Sequence, residues 1–261
     1  MSGGLGVWTY AITRSGGSQV SRLTGVGGAT VRTTACAGLT ALVSDVSLAE
    51  FGEEALRENL ENLDWLDAVA RAHHAVIDAA SRMLELLPAR LATVYSGDAA
   101  LCAALAARRD QLLDTLNWVG GRAEWGVKAY AAPESDPADH GHGPADTATG
   151  GAGLAYLKRR RAQLTAERDS RGAAVNGARA VHAGLSRQTE AARLHPPQAA
   201  QLSQVRLPML LNAAYLLRAA DGTSFAAAVA AEASAHPELR IELTGPWPPY
   251  SFVGDDDDGR R

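Results

Sequence analysis

Apolar and polar positions alternate along Val7-Trp8-Thr9-Tyr10-Ala11-Ile12-Thr13, a run rich in β-formers, so the chain opens on a strand. Ser15-Gly16-Gly17-Ser18 breaks it, and Gly25, Gly27 and Gly28 mark a further turn of the kind that needs positive φ. Leu39-Thr40-Ala41-Leu42-Val43-Ser44 predicts another strand, ending at Asp45. The period then changes. Glu53 and Glu54 suit a helix start, where acids meet the positive end of the dipole. From Trp65 the positions Leu66, Val69, Val76, Ile77, Ala80, Leu84 and Leu87 recur at helical spacing until Pro88 stops the run. Residues 90–95 (Arg-Leu-Ala-Thr-Val-Tyr) predict a short strand. Asp98 can cap a helix whose stripe is Leu101, Leu105, Leu112, Leu116 and Val119, and Gly120-Gly121 closes a first domain.

The second half has its own order. A strand is expected over 124–130, a long helix from Tyr156 to about Gln188 weakened at Gly172 and Gly177, and a short extended piece from Ala192. Residues 210–216 read as a strand, with helix as a competitor because of their Leu and Ala content. An alanine-rich helix capped at Ser224 follows, ended by Pro237, and then the alternating strand Leu239-Arg240-Ile241-Glu242-Leu243. The order β-α-β-β-α-β is the ferredoxin-like plan. The fold class is therefore α+β in two domains. The first is an α+β domain over 1–120 and the second a ferredoxin-like βαββαβ domain over 121–252. Residues 133–153, rich in Pro, Gly, Asp and Ala, form a flexible loop, and 253–261 an acidic disordered tail.

Length agrees with two domains, since 261 residues are too many for one of ordinary size. A hydrophobic content of 46% with 21% charged residues excludes wholesale disorder. The net charge of -4 argues against general nucleic-acid binding. No run approaches the roughly 18 apolar residues of a spanning helix, so no membrane partner is expected. The N-terminus lacks the look of a signal peptide, which makes a reducing cytoplasm the default compartment. Charge is uneven within the chain. Between Asp45 and Asp67 stand eight acids and one base, Arg57, and between Leu154 and Arg193 nine bases and three acids. These are either solvated helix faces or surfaces that steer docking, with Arg159 and Arg160 as candidate partner contacts.

Little in the chain asks for catalysis. No Gly-Lys-Ser/Thr follows the early glycines and no Gly-x-Ser-x-Gly occurs, so neither a phosphate loop nor a nucleophile elbow is expected. His73 and His74 are neighbours on a helix, about 100° apart, and cannot converge on one ion. His140 and His142 supply two ligands in a loop, too few for a firm site, and Asp255 to Asp258 lack the spacing of a calcium loop. Cys36 and Cys102 are too few for a disulfide scaffold or a cysteine zinc site, and each is expected as a small packed side chain. No metal, cofactor or catalytic residue is assigned. The unusual segment is Thr244-Gly245-Pro246-Trp247-Pro248-Pro249-Tyr250-Ser251-Phe252. Its prolines predict a stiff extended strap. Trp247, Tyr250 and Phe252 either pack on the domain's own sheet or are presented to a partner.

In this setting the chain resembles the gas vesicle GvpL/GvpF family over nearly all of residues 6–252. The similarity is carried by Val7-Trp8-Thr9-Tyr10-Ala11-Ile12, Leu42-Val43-Ser44-Asp45-Val46, the run Asn59-Leu60-Glu61-Asn62-Leu63-Asp64-Trp65-Leu66 and His73. It continues through residues 87–95 beginning Leu-Pro-Ala-Arg, Glu124-Trp125-Gly126-Val127-Lys128, Tyr156-Leu157-Lys158-Arg159-Arg160, Leu211-Asn212-Ala213-Ala214-Tyr215-Leu216 and the strap. The resemblance implies a non-enzymatic accessory protein of gas vesicles, in the cytoplasm or on the vesicle. It would be a minor structural and assembly component that binds the main shell protein, alongside other accessory proteins, and supports nucleation or growth of the shell. The alternative class is an enzyme or small-molecule binder, since ferredoxin-like domains host many activities.

Overall fold

The computed structural model describes residues 4–14, 16, 18–132, 152–197 and 207–253. The chain forms two units, the first built from 1–124 together with 246–261, the second from 125–245. The expected loop at 133–153 lies outside the described residues up to 151, as do the tail from 254, His140, His142 and Asp255 to Asp258.

The first unit is organised on β1 (Leu5–Thr13), which pairs antiparallel with β3 (Leu39–Ser47), β4 (Leu86–Pro88) and β5 (Val94–Tyr95), while β2 (Arg32–Cys36) extends the sheet beyond β3. Every residue of β1 after Leu5 is buried, because a central strand is covered on both faces, so its polar Thr9 and Thr13 are inside as well. Trp8 and Tyr10 both meet the His73 ring, although the pairing with β3 shifts register at Tyr10. They meet Val69, Val76, Ile77 and Ala80 of the helix α3 (Leu63–Ser81) in one apolar cluster. The side chain of Asn62 caps α3 by accepting from the backbone N–H groups of Asp64 and Trp65. Before it lie the short helices α1 (Leu48–Phe51) and α2 (Glu53–Asn59).

Two expectations are corrected here. The apolar stripe through Leu84 and Leu87 is not one helix. α3 ends at Ser81, and Leu86, Leu87 and Pro88 instead pair with Thr13, Ile12 and Ala11. Pro88 lacks an N–H and is tolerated because β4 is an edge strand. Residues 90–95 are not a continuous strand, since Ala92 turns at φ 62° and only Val94 and Tyr95 pair. The glycine turn is present, with Gly27 and Gly28 at φ 62° and 73°. Gly25 is required by a close approach, as a Cβ there would lie 2.0 Å from the Tyr10 hydroxyl. That hydroxyl accepts from Val26 N–H and is hydrogen-bonded to Ser44 Oγ.

The stripe from Leu101 to Val119 is divided at Arg108 into α4 (Asp98–Ala107) and α5 (Arg109–Val119). The cysteines are not separate packed thiols. Cys36 at the end of β2 is disulfide-bonded to Cys102 on α4, 66 residues on in sequence. Such a bond persists in oxidising surroundings and is uncommon in a reducing cytoplasm. Arg32 of β2 bridges Asp45 of β3 and Asp98 of α4, and holds the Asp45 carboxyl below the usual carboxylate range.

The second unit runs β6 (Arg122–Ala131), α6 (Ala152–Ser186), β7 (Ala191–Leu194), β8 (Met209–Arg218), α7 (Gly222–Ala235) and β9 (Leu239–Trp247), with β6 and β9 crossing the unit boundary. Its sheet has the order β7-β8-β6-β9. The competitor helix over 210–216 is not formed. Tyr215 and Leu217 of β8 point into a core with Val127, Ala129, Ala174, Ala178, Val181, Leu185, Phe225 and Val229. Gly172 and Gly177 do not interrupt α6. A Cβ on Gly177 would lie 2.4 Å from Glu238 Oε1, so glycine lets the helix approach the turn before β9. α7 begins at Gly222 rather than at Ser224, whose hydroxyl donates to the Asp221 carbonyl inside the first turn.

Candidate partner-binding strap

The last proline-rich stretch leaves β9 at Trp247 and belongs to the first unit, not to the sheet of the second. It is extended only that far. Pro248 and Pro249 lead into a single 3₁₀ turn over Tyr250–Phe252, closed by Tyr250 N–H on the Pro248 carbonyl and Phe252 N–H on the Pro249 carbonyl. Proline supplies the fixed φ that makes such a turn inexpensive in entropy.

Three consecutive residues of the turn are fastened. Tyr250 packs against the core of the first unit. Its Oη lies 2.9 Å from His74 Nδ1, with the rings edge to face at 5.0 Å. Burial pushes its phenol above the ordinary range, aided by the charges of Asp78 and Glu124. Ser251 donates from both its backbone N–H and its hydroxyl to the two oxygens of Glu124, each at 2.7 Å. Glu124 is itself buried. Phe252, 6% exposed, meets Trp118 edge to face at 5.9 Å. Trp247 is different, with 46% of its surface open.

The three rings expected to act together are thus divided. Tyr250 and Phe252 turn inward and fix the strap, which removes Phe252 as a partner contact, and Trp247 is the ring left facing solvent. The two arginine candidates lie apart from it in sequence and element, on α6. Arg160 is exposed and donates to Gln163, and the side chain of Arg159 lies outside the described set. Glu124 and His74 were not singled out from the sequence as strap anchors. An acid at the start of a strand, directly before Trp125, was the available signal.

The other polar cluster in this unit is structural. Trp8 Nε1 donates to His73 Nδ1 at 3.0 Å, so that nitrogen carries no proton, and Nε2 is left to donate to the Ala89 carbonyl at 3.2 Å. Both ring nitrogens are engaged, which leaves neither for a metal. Burial pushes the imidazole down to about 4, with the neighbouring His74 adding a smaller push. Among the described residues no group of three or more His, Cys, Asp or Glu is arranged to hold a metal ion, and no helix is long and apolar enough to cross a membrane.

Comparison with known proteins agrees with this architecture. Residues 6–254 match the family described as gas vesicle synthesis protein GvpL/GvpF. The chain is 40% identical over 257 residues to gas vesicle protein L of a Streptomyces species (strain CB03234), an alignment covering 95% of this chain and 92% of that one. Among solved structures it resembles the gas vesicle protein GvpF from Anabaena sp. PCC7120, with a TM-score of 0.64 at 19% identity, covering 96% of each chain. It also resembles GvpF from Microcystis aeruginosa, with a TM-score of 0.62 at 18% identity, covering 95% of this chain and 99% of that one. At those identities the two structures speak to the fold.

Proposed function

The chain belongs to the GvpL/GvpF family of gas vesicle synthesis proteins, and from that premise we propose that it is a minor structural and assembly component that binds the main gas vesicle shell protein. In this reading it supports nucleation or growth of the shell on the vesicle, alongside other accessory proteins. The observation that carries the reading is Trp247, an open indole on a strap pinned at Tyr250, Ser251 and Phe252. A subunit that coats a gas space is apolar on one face and needs that face masked before assembly. A ring held rigidly beforehand loses little entropy on docking.

We read the second unit as ferredoxin-like. Its βαββαβ order and its sheet order, with the unit's second and third strands at one side and its first and fourth at the other, support that assignment. We also read the protein as a binder rather than an enzyme. His73, Tyr10 and Tyr215, whose shifts come first from burial, are closed core side chains out of a substrate's reach.

The test is capture of the protein on immobilised main shell protein from the same source, with Trp247→Ala in parallel. Binding should weaken by about 2 kcal/mol, roughly thirtyfold, as for an aromatic hot spot. Thermal stability should stay within about 0.5 kcal/mol, as for an exposed position. Failure of the unaltered protein to bind would remove the reading.

A further inference from the structure

α6 begins long before it is needed for packing. Its first core residue is Ala174, and every described side chain from Tyr156 to Ala173 is exposed. At about 1.5 Å per residue the unpacked stretch is roughly 30 Å long. It is not uniformly polar. With about 100° between successive residues, Leu157, Arg160, Arg161, Leu164, Arg168 and Arg171 fall within roughly 60° of one line along the helix. Leu157 is 64% and Leu164 50% exposed. Of the two acids nearby, Asp169 lies well off that line in the helical projection, about 120° from Leu157, and Glu167 falls at the edge of the face next to Arg160. The result is a cationic face with two leucines along its centre.

The junction between α2 and α3 is its converse. Leu60 and Leu63 are 40% and 69% exposed, and Glu53, Glu54, Glu58, Glu61, Asp64 and Asp67 around them are all exposed. The one base there, Arg57, is paired with Glu53 at 2.6 Å. Each patch combines a strip of single-sign charge with two open leucines, and the signs are opposite.

We propose that these patches are the two sides of one contact, in which the cationic leucine face of α6 in one copy of the chain takes the acidic leucine-bearing α2–α3 junction of a second copy. Charge complementarity selects the partner, and the leucines supply apolar area once the charges have brought the patches together. The two surfaces differ, so the contact is head to tail. Each copy that docks presents a fresh patch, and copies extend into a row or close into a ring. Trp247 takes no part, so this inference stands or falls separately from binding to the shell protein.

The experiment is sedimentation velocity over a range of protein concentration. At low ionic strength the unaltered chain should form oligomers that grow with concentration. In about 1 M salt, where the screening length falls to about 3 Å, association should weaken at least tenfold. Two reversals separate the sides, Arg161→Glu with Arg168→Glu on α6, and Glu58→Lys with Glu61→Lys at the junction. Each should be monomeric alone and keep the thermal unfolding of the parent. Mixed together they should associate again, since the intact patches of the two variants pair and so do the reversed ones. A chain carrying both reversals should associate again. Should a reversal disturb folding, glutamine at the same positions replaces it and should weaken association in the same order. The proposal is overturned by a parent chain that stays monomeric at low salt, by oligomers that ignore either reversal, or by a mixture that does not associate.

Discussion

In the first unit the core closes around large rings with polar edges. Trp8 donates to His73, Tyr10 is hydrogen-bonded to Ser44 and to Val26 N–H, and Phe51 meets Trp8 edge to face at 5.6 Å. The core of the second unit leans on small residues. Ala174 and Ala178 on α6 face Ala129 and Ala213 in the sheet, with Val181, Leu185 and Leu211 filling between them. A histidine is hydrogen-bonded to a ring there too, His182 to Tyr215 at 2.9 Å, but it is less deeply placed than His73. The difference is one of direction. A ring fixed by a hydrogen bond leaves an unsatisfied partner when removed, so the first core suffers most from loss. A helix laid close on a sheet by alanines suffers most from added bulk.

The largest expected effect puts that contrast to the proof. Trp8→Ala should cost about 3–5 kcal/mol, the range for emptying a buried tryptophan site. Ala178→Leu should cost about 1–3 kcal/mol by overpacking. Denaturant titration of each variant measures both, and a costly Ala178→Gly with a mild Trp8→Ala would reverse the assignment. Next comes the Cys36–Cys102 bond, which closes a 66-residue loop inside the first unit. Chain-entropy bookkeeping for a loop of that length gives about 4 kcal/mol. Calorimetry with and without a dithiol should show one transition falling and the other unmoved. If both transitions shift, the units are not independently stabilised.

The third effect is acid sensitivity. His73 is pushed down to about 4 in the folded state, against about 6.5 for a free imidazole. The unfolded chain therefore takes up the proton first. The contribution is fully present above about pH 6.5 and is lost as pH falls towards 4, on the order of 3 kcal/mol in all. His182 is shifted in the same direction by burial. NMR titration of the two rings tests both shifts, and a His73 ring that protonates near its free value would contradict the neutral, doubly bonded state. The smallest effect belongs to the strap. Glu124→Ala removes a charged acceptor of two hydrogen bonds and should cost about 2 kcal/mol. It should also admit protease near residues 247–253 while leaving the second unit protected, and unchanged cleavage there would mean that the turn does not depend on Glu124.

Local pattern made much of this visible beforehand. β1 and β3, the bulk of α3 and the β9 strand follow from period and capping alone, and the odd chemistry of residues 244–252 was plain from its prolines. What escaped depends on pairing between distant residues. Nothing local distinguishes Leu86 and Leu87 in a helix from Leu86 and Leu87 beside Ile12 and Thr13. β2 carries Arg32, Thr33 and Thr34, a weak strand signal that makes sense only beside β3. The Cys36–Cys102 pairing and the union of Glu124 with Ser251 each join residues more than sixty positions apart. The same holds within the strap. Its stiffness was legible, but which ring would remain outside was decided by His74 and Trp118, and neither is near it in sequence.

The first unit is interrupted in the chain, leaving at Glu124 and resuming at Pro246. During translation this imposes a schedule. When Glu124 leaves the ribosome its two hydrogen-bond partners on Ser251 have not been made, and neither has the ring that covers Trp118. At about 5–20 residues per second the intervening stretch takes on the order of ten seconds to synthesise. For that interval the first unit is unfinished, with Glu124 lacking Ser251 and Trp118 lacking Phe252. The second unit, encoded within the gap, has its whole sequence available earlier. The segment made after the second unit is thus the one that seals the unit begun first, and a chain released between the two would have a complete second unit and a first unit still open.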